Sequence, residues 1–170
     1  LPSPPILIGH SLGGLLAQRV AKRTSVPGVV LLATPTPRSM RQGAFRLIAS
    51  FPLAMMKFVL TGNPDHVYRD EAVVRGLLFG GARGPGIDKA LTRILREPES
   101  TKLIADVQSI ELQPVDVPVL VIGGDADIGV PVEALQEAAE RHQGIKKTLT
   151  GAAHQFFMMP GWEQAADSIN

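Results

Sequence analysis

Unbroken apolar runs take turns along this chain with stretches whose apolar residues recur every three or four positions. The runs are "ILIGH" at Ile6–His10, "PGVVLLATP" at Pro27–Pro35 and "VPVLVIGGD" at Val117–Asp125. Continuous apolar runs of this length, bounded by Pro and Gly, predict strands buried on both faces. "IKKTLTG" at Ile145–Gly151 predicts a weaker fourth strand near the sheet edge. Between the first two runs, "LGGLLAQRVAKRT" sets Leu12, Leu15, Leu16 and Val20 against Gln18, Arg19, Lys22 and Arg23. That division predicts an amphipathic helix. "VEALQEAAERHQG" predicts another, stopped by Gly144, and "PGWEQAADSIN" a last one with Pro160 near its first turn. Strands alternating with helices point to an α/β architecture of about four parallel strands with flanking helices.

The alternation lapses between Thr36 and Pro114. "SMRQGAFRLIASFPLAMMKFVL", "RDEAVVRGLLF" and "GIDKALTRILREPESTKLIADV" read as helices broken by Gly and Pro. A helical insertion that leaves the sheet pattern and returns to it reads as a cap. The expected organisation is core at residues 1–36, cap at 37–114 and core again at 115–170. With 170 residues and 45% apolar content, one ordinary domain's core can form.

Charge and composition narrow the function. A net charge of +1 offers no electrostatic footprint for nucleic acid. Without cysteine there is neither a disulfide framework nor a thiolate metal site. The longest apolar stretch, Leu47–Leu60, is too short to span a bilayer and contains Pro52 and Lys57. The chain opens on Leu1 without a basic-then-apolar leader, and a cytoplasmic location is the expectation.

The chemistry concentrates where the first strand stops, at Gly9-His10-Ser11-Leu12-Gly13-Gly14. A serine hydroxyl becomes a useful nucleophile when held outward, beside a base and beside N–H groups that can take an oxyanion. A sharp strand-to-helix turn does the holding. Its crowding calls for small residues two before and two after the serine, here Gly9 and Gly13. Gly14 is expected to bring the helix close to the neighbouring strand. The Leu12 N–H stands at the helix N-terminus, where the dipole favours negative charge. A phosphate loop does not fit, because neither Gly-Lys-Ser/Thr nor G-x-G-x-x-G spacing is present.

In this setting the chain resembles the C-terminal portion of an α/β-hydrolase-fold serine hydrolase, esterase- or lipase-like, beginning at the nucleophile-elbow strand. The resemblance covers nearly all of the chain and rather more than half of a typical domain of that family. It implies the order nucleophile, acid, histidine. "GGDADIGVP" offers Asp125 and Asp127 for the acid. The family's Asp-x-x-Val-Pro pattern matches Asp127–Pro131 and favours Asp127, with Asp125 left to brace the turn or cap the next helix. His154 in "LTGAAHQFF" stands where the family has its base. His10 then shapes the pocket floor, His142 at a helix end favours the dipole, and His66 lies exposed in the cap. No pair of histidines has ligand spacing, so neither metal nor cofactor is expected.

The implied reaction is acyl transfer to water, through an acyl-serine formed on Ser11 with His154 as base and Asp127 as its orienter. A serine nucleophile argues against dehalogenase or epoxide hydrolase chemistry. Met55 and Met56 in the cap, with Phe156 and the "FMMPGW" stretch that follows it, are expected to line an acyl pocket for a lipophilic ester. The early strands of the fold, and the loop that supplies its other oxyanion N–H, have no counterpart ahead of Ile6. That predicts an open edge on the first strand, able to pair with a second copy or with a complementary N-terminal fragment. The alternative reading is a non-catalytic hydrolase-like fragment that binds a small apolar ligand or such a complementary half.

Overall fold

The structure, a computed structural model, describes residues 2–96 and 112–169. Four strands form one parallel sheet: β1 (Leu7–His10), β2 (Val29–Leu32), β3 (Val119–Gly124) and β4 (Ile145–Leu149), in the spatial order β1-β2-β3-β4. Leu7 pairs with Val29, Val29 with Val119 and Leu120 with Ile145, so all four strands end at the same side of the molecule. Helices α1 (Leu12–Ala21) and α7 (Val132–His142) make the crossovers from β1 to β2 and from β3 to β4.

Alternation along the strands separates two cores. Val29, Leu31, Val119 and Val121 pack on one face with Ala17 of α1 and Ala134, Leu135, Ala138 and Ala139 of α7. Val30 and Ile122 point to the other face, where they meet Leu149, Phe156 and Ala165 of the short helix α8 (Glu163–Asp167). Burying each large aliphatic side chain in these layers is worth about 1.5–3 kcal/mol.

Three local expectations need correction. First, β1 is not buried on both faces: Gly9 alone in it is buried, while Ile6 and Ile8 are 55% and 56% exposed. β1 is an edge strand, and nothing among the described residues covers Ile8. β4, at the opposite edge, carries Lys146 and Lys147, side chains that discourage pairing with another edge. Second, α1 turns differently from its apolar stripe. Leu15 and Gln18 are buried, whereas Leu16 and Val20 are about half exposed. A polar partner on α7 receives Gln18. Third, α8 is five residues long and begins beyond Pro160, which lies in the turn before it.

Among the described residues, five helices run between β2 and β3: α2 (Pro37–Ser50), α3 (Pro52–Thr61), α4 (Asp65–Tyr68), α5 (Glu71–Phe79) and α6 (Pro85–Arg96). A reciprocal capping box of Thr36 and Ser39, with Pro37 in the first turn, starts α2. Pro52 separates α3 from α2, and Gly62 and Gly80 close α3 and α5 in the left-handed conformation. These helices have cores of their own: Ala54, Met55, Val67 and Val73 in one, Val74, Phe79, Ile87, Ala90 and Leu91 in another. The rest of the helix anticipated after Arg96 lies outside the described residues.

Candidate active site

The elbow is built from its own backbone. Ser11 has φ 52° and ψ −126°, outside the ordinary regions for a residue with a side chain. Its N–H donates to the Leu32 carbonyl at the end of β2 (2.8 Å), which anchors the turn to the sheet. A Cβ on Gly9 would lie 2.6 Å from Gly13 O and from Gly14 Cα, both backbone atoms that have no freedom to yield. A Cβ on Gly14 would overlap the Thr34 side chain just beyond β2, so glycine there sets the approach of α1 to that strand. The expectation for Gly13 fails: a Cβ there would meet nothing within 4 Å. No described segment lies against that side of the turn.

Ser11 occupies the N-cap of α1, yet its hydroxyl caps nothing. Serine is favoured at this position because its oxygen usually accepts an N–H of the first turn. Here the oxygen is turned to the imidazole instead, with His154 Nε2 at 3.0 Å. The N–H of Leu12 is one of the first-turn donors for which a helix has no internal acceptor.

The acid loop follows β3. Asp127 is buried, and its Oδ1 accepts the N–H groups of Gly129 (2.8 Å) and Val130 (2.9 Å). Its Oδ2 faces His154 Nδ1 at 2.7 Å. An ionised carboxylate can only accept, so Nδ1 carries the proton and the Nε2 lone pair is left to accept from the Ser11 hydroxyl. Asp125 does not approach the ring: its Oδ1 accepts the Gly151 N–H (2.7 Å), bracing the turn after β4.

His154 follows that turn and is buried. His10 Nε2–H donates to its carbonyl (3.1 Å), and the two rings lie 4.8 Å apart. Burial, then the neighbouring His154, push the His10 pKa down to about 4, so His10 is a neutral prop. Phe157 stands edge-on to His10 at 4.8 Å and is 39% exposed.

The sequence-predicted pocket residues separate. Phe156 is 2% exposed in the sheet core, so Phe157, its neighbour in the 3-10 turn Phe156–Met158, takes the place beside the site. Met55 is buried in the core that helices α3, α4 and α5 form among themselves, and the adjacent Met56 is half exposed. His66 is half-buried rather than exposed. His142 is not a helix-dipole cation. It is buried, its Nδ1 accepts the Val115 N–H (3.2 Å), and its Nε2–H donates to Gln18 Oε1 (2.9 Å). Burial first, then Arg141 and Lys22, lower its pKa to about 4. Among the described residues no three His, Cys, Asp or Glu side chains gather as a metal site, and no helix is long and apolar enough to cross a membrane.

A serine on a strained strand-to-helix turn, at the carboxyl edge of a parallel sheet and facing a carboxylate-bound imidazole, defines an α/β-hydrolase arrangement. The chain belongs to the alpha/beta hydrolase family, whose sequence model matches residues 1–168. It is similar in fold to the esterase RhEst1 from Rhodococcus sp. ECU1013, with 23% identity and a TM-score of 0.68, over 96% of this chain and 63% of that one. VinJ matches with 17% identity and a TM-score of 0.74, again over 96% of this chain and 63% of its own. A proline iminopeptidase-related protein from Thermus thermophilus matches with 20% identity and a TM-score of 0.65, over 96% and 62%. The chain thus spans less than two thirds of the length of these structures. No protein of curated function matches it significantly.

Proposed function

We propose that this hydrolase cleaves carboxylic esters with Ser11 as nucleophile, His154 as general base and acid, and Asp127 as the orienting carboxylate. The observation that carries the reading is the unbroken hydrogen-bonded line from Ser11 Oγ through His154 to Asp127, at 3.0 Å and 2.7 Å. His154 takes the Ser11 proton as the oxygen attacks the acyl carbon, and Asp127 stabilises the imidazolium that forms. The Leu12 N–H, at the N-terminus of α1, receives the developing oxyanion. His154 then returns its proton to the leaving alcohol, and water repeats the sequence on the acyl-serine. Phe157 and the exposed apolar residues of the cap favour a lipophilic acyl group.

A second reading has its own support in the open edge of β1 and the bare side of Gly13. In it, the chain binds a complementary segment or a second copy there and is a poor catalyst without it. Removing one oxyanion donor costs about 100- to 1,000-fold in comparable sites.

Labelling with a fluorophosphonate probe tests the first reading directly. Covalent modification that vanishes in Ser11→Ala is the expected result. A folded parent that resists the probe, or a Ser11→Ala variant that still reacts, would overturn it. Turnover of p-nitrophenyl octanoate, acetate and a prolyl p-nitroanilide then orders the substrates, with the octanoate expected first. A parent that is labelled but turns over slowly, and gains rate on dimerisation, would support the second reading.

A further inference from the structure

Asp127 is aimed by a loop, and that loop is held from both sides. On its inner side the carboxylate itself accepts the Gly129 and Val130 N–H groups. On its outer side the carbonyls of Ile128 and Gly129 point the other way, to a guanidinium supplied by the cap. Arg46 of α2 donates from Nε to Ile128 O (3.1 Å) and from Nη2 to Gly129 O (3.4 Å), and Nη2 also donates to Ser39 O within its own helix (2.8 Å). Among the described residues Arg46 makes no ion pair, so its hydrogen bonds go to backbone carbonyls alone. The planar, forked head suits two carbonyls on consecutive residues, which a lysine ammonium on a flexible stem does not match. The same helical region reaches the base as well. The N–H of Gln155, next to His154, donates to Leu78 O in α5 (2.8 Å).

We propose that Arg46 is a positioning residue for the reaction, holding the Ile128 and Gly129 carbonyls so that Asp127 stays directed at His154. This rests on the triad reading above and extends it: the cap is part of what sets triad geometry, besides roofing the site. Loss of the guanidinium releases the outer side of the loop to water, while the inner bonds alone keep the carboxylate. The carboxylate then samples orientations in which Oδ2 leaves Nδ1, and the imidazole loses its fixed tautomer. Substrate contacts are untouched, so the effect falls on kcat and not on KM.

The test uses Arg46→Met, which keeps the apolar stem, and Arg46→Lys, which keeps the charge without the fork. Two readouts are taken: ester turnover, and the low-field proton NMR resonance of the His154 Nδ1–H bonded to Asp127. Arg46→Met is expected to lose on the order of 10- to 100-fold in kcat, the scale of a small misplacement of a catalytic group, with KM within about twofold. Its low-field resonance is expected to broaden or move upfield, and Arg46→Lys to fall between Arg46→Met and the parent in both. A kcat within about twofold of the parent in folded Arg46→Met overturns the proposal, as does a fall in kcat with the resonance unchanged. If Arg46→Met does not fold by circular dichroism, Arg46→Lys decides, and parent-like kcat and resonance there overturn the proposal. Absence of Ser11-dependent turnover in the parent would count against the triad reading. The resonance would still report whether Arg46 aims Asp127.

Discussion

Ser11 and the Asp127–His154 pair meet within hydrogen-bond distance but are held by different means. The serine is fixed by its near neighbours: a strained backbone, Gly9 against Gly13 and Gly14, and one bond to the end of the adjacent strand. Asp127 and His154 sit on loops whose supports come from afar. Arg46 grips one loop from 82 residues away, and the Leu78 carbonyl holds the other. Local sterics make the elbow stiff whatever surrounds it, whereas the two loops are only as well placed as the packing of the cap and sheet allows. Placement of Ser11 is therefore a property of a short peptide, and alignment of Asp127 and His154 is a property of the whole domain.

The sharpest way to break this contrast lies in the acid loop. On the triad reading, Asp127→Asn is expected to lower kcat about 10,000-fold, as loss of the orienting carboxylate does in serine proteases. Asp125→Asn, which weakens only the brace to Gly151, is expected to cost less than about tenfold, since the ring keeps its partner. Ester turnover by the two variants checks this, and equal losses would mean that the loops do not divide the work as described. The elbow is tested through its glycines. Gly9→Ala pushes a methyl into backbone at 2.6 Å and is expected to destabilise by about 3 kcal/mol or more. Gly13→Ala enters open space and is expected to be neutral or to gain up to about 1 kcal/mol from helix propensity. Urea denaturation of both variants reads the difference; a tolerant Gly9 would remove the local-sterics half of the comparison.

The smallest effect concerns a strut that ties the elbow helix to the rest of the domain. His142 in α7 donates to Gln18 in α1, and Gln18 Nε2 donates to Gly14 O, one turn from Ser11. Folding holds His142 neutral, with its pKa lowered from 6.5 to about 4. Between these values the unfolded chain binds more protons than the folded one. Stability is therefore complete above pH 6.5 and falls as pH drops toward 4. His10, lowered to the same value, adds to the same window. For His142 the loss is expected to reach at most about 2–3 kcal/mol. Thermal melts at pH 7, 5.5 and 4.5 should show it, with a shallower slope in His142→Gln. A slope identical to the parent's would remove His142 as its source.

Much of the architecture could be read along the chain because it is written locally. Three apolar runs and the weaker "IKKTLTG" became four parallel strands, since uninterrupted aliphatic residues between Pro and Gly have few other ways to bury themselves. The turn around Ser11 was legible because its constraint, Gly9 against the backbone of Gly13 and Gly14, lies within six consecutive residues. Helical periodicity found the helices but misjudged which side of α1 is buried. Gln18 looked like a surface residue and is buried, and Leu16 looked buried and is half exposed, because a polar partner on another helix outweighed the stripe. Phe156 and Phe157 are indistinguishable in sequence, and only the phase of a 3-10 turn sends one into the core and the other toward His10.

Residue order alone was enough for the strands and for the strand-to-helix elbow at Ser11. These depend on residues that follow one another directly, where sterics and burial act without reference to the rest of the chain. Two other matters were left to the folded molecule: that a neutral His142 props α1, and that Arg46 holds the loop that carries Asp127. Each of these joins groups 124 or 82 residues apart, on elements that only the fold brings together. A hydrogen bond is settled within a few tenths of an ångström, a precision that hydrophobic patterning does not carry and that the packed sheet, cap and loops supply together.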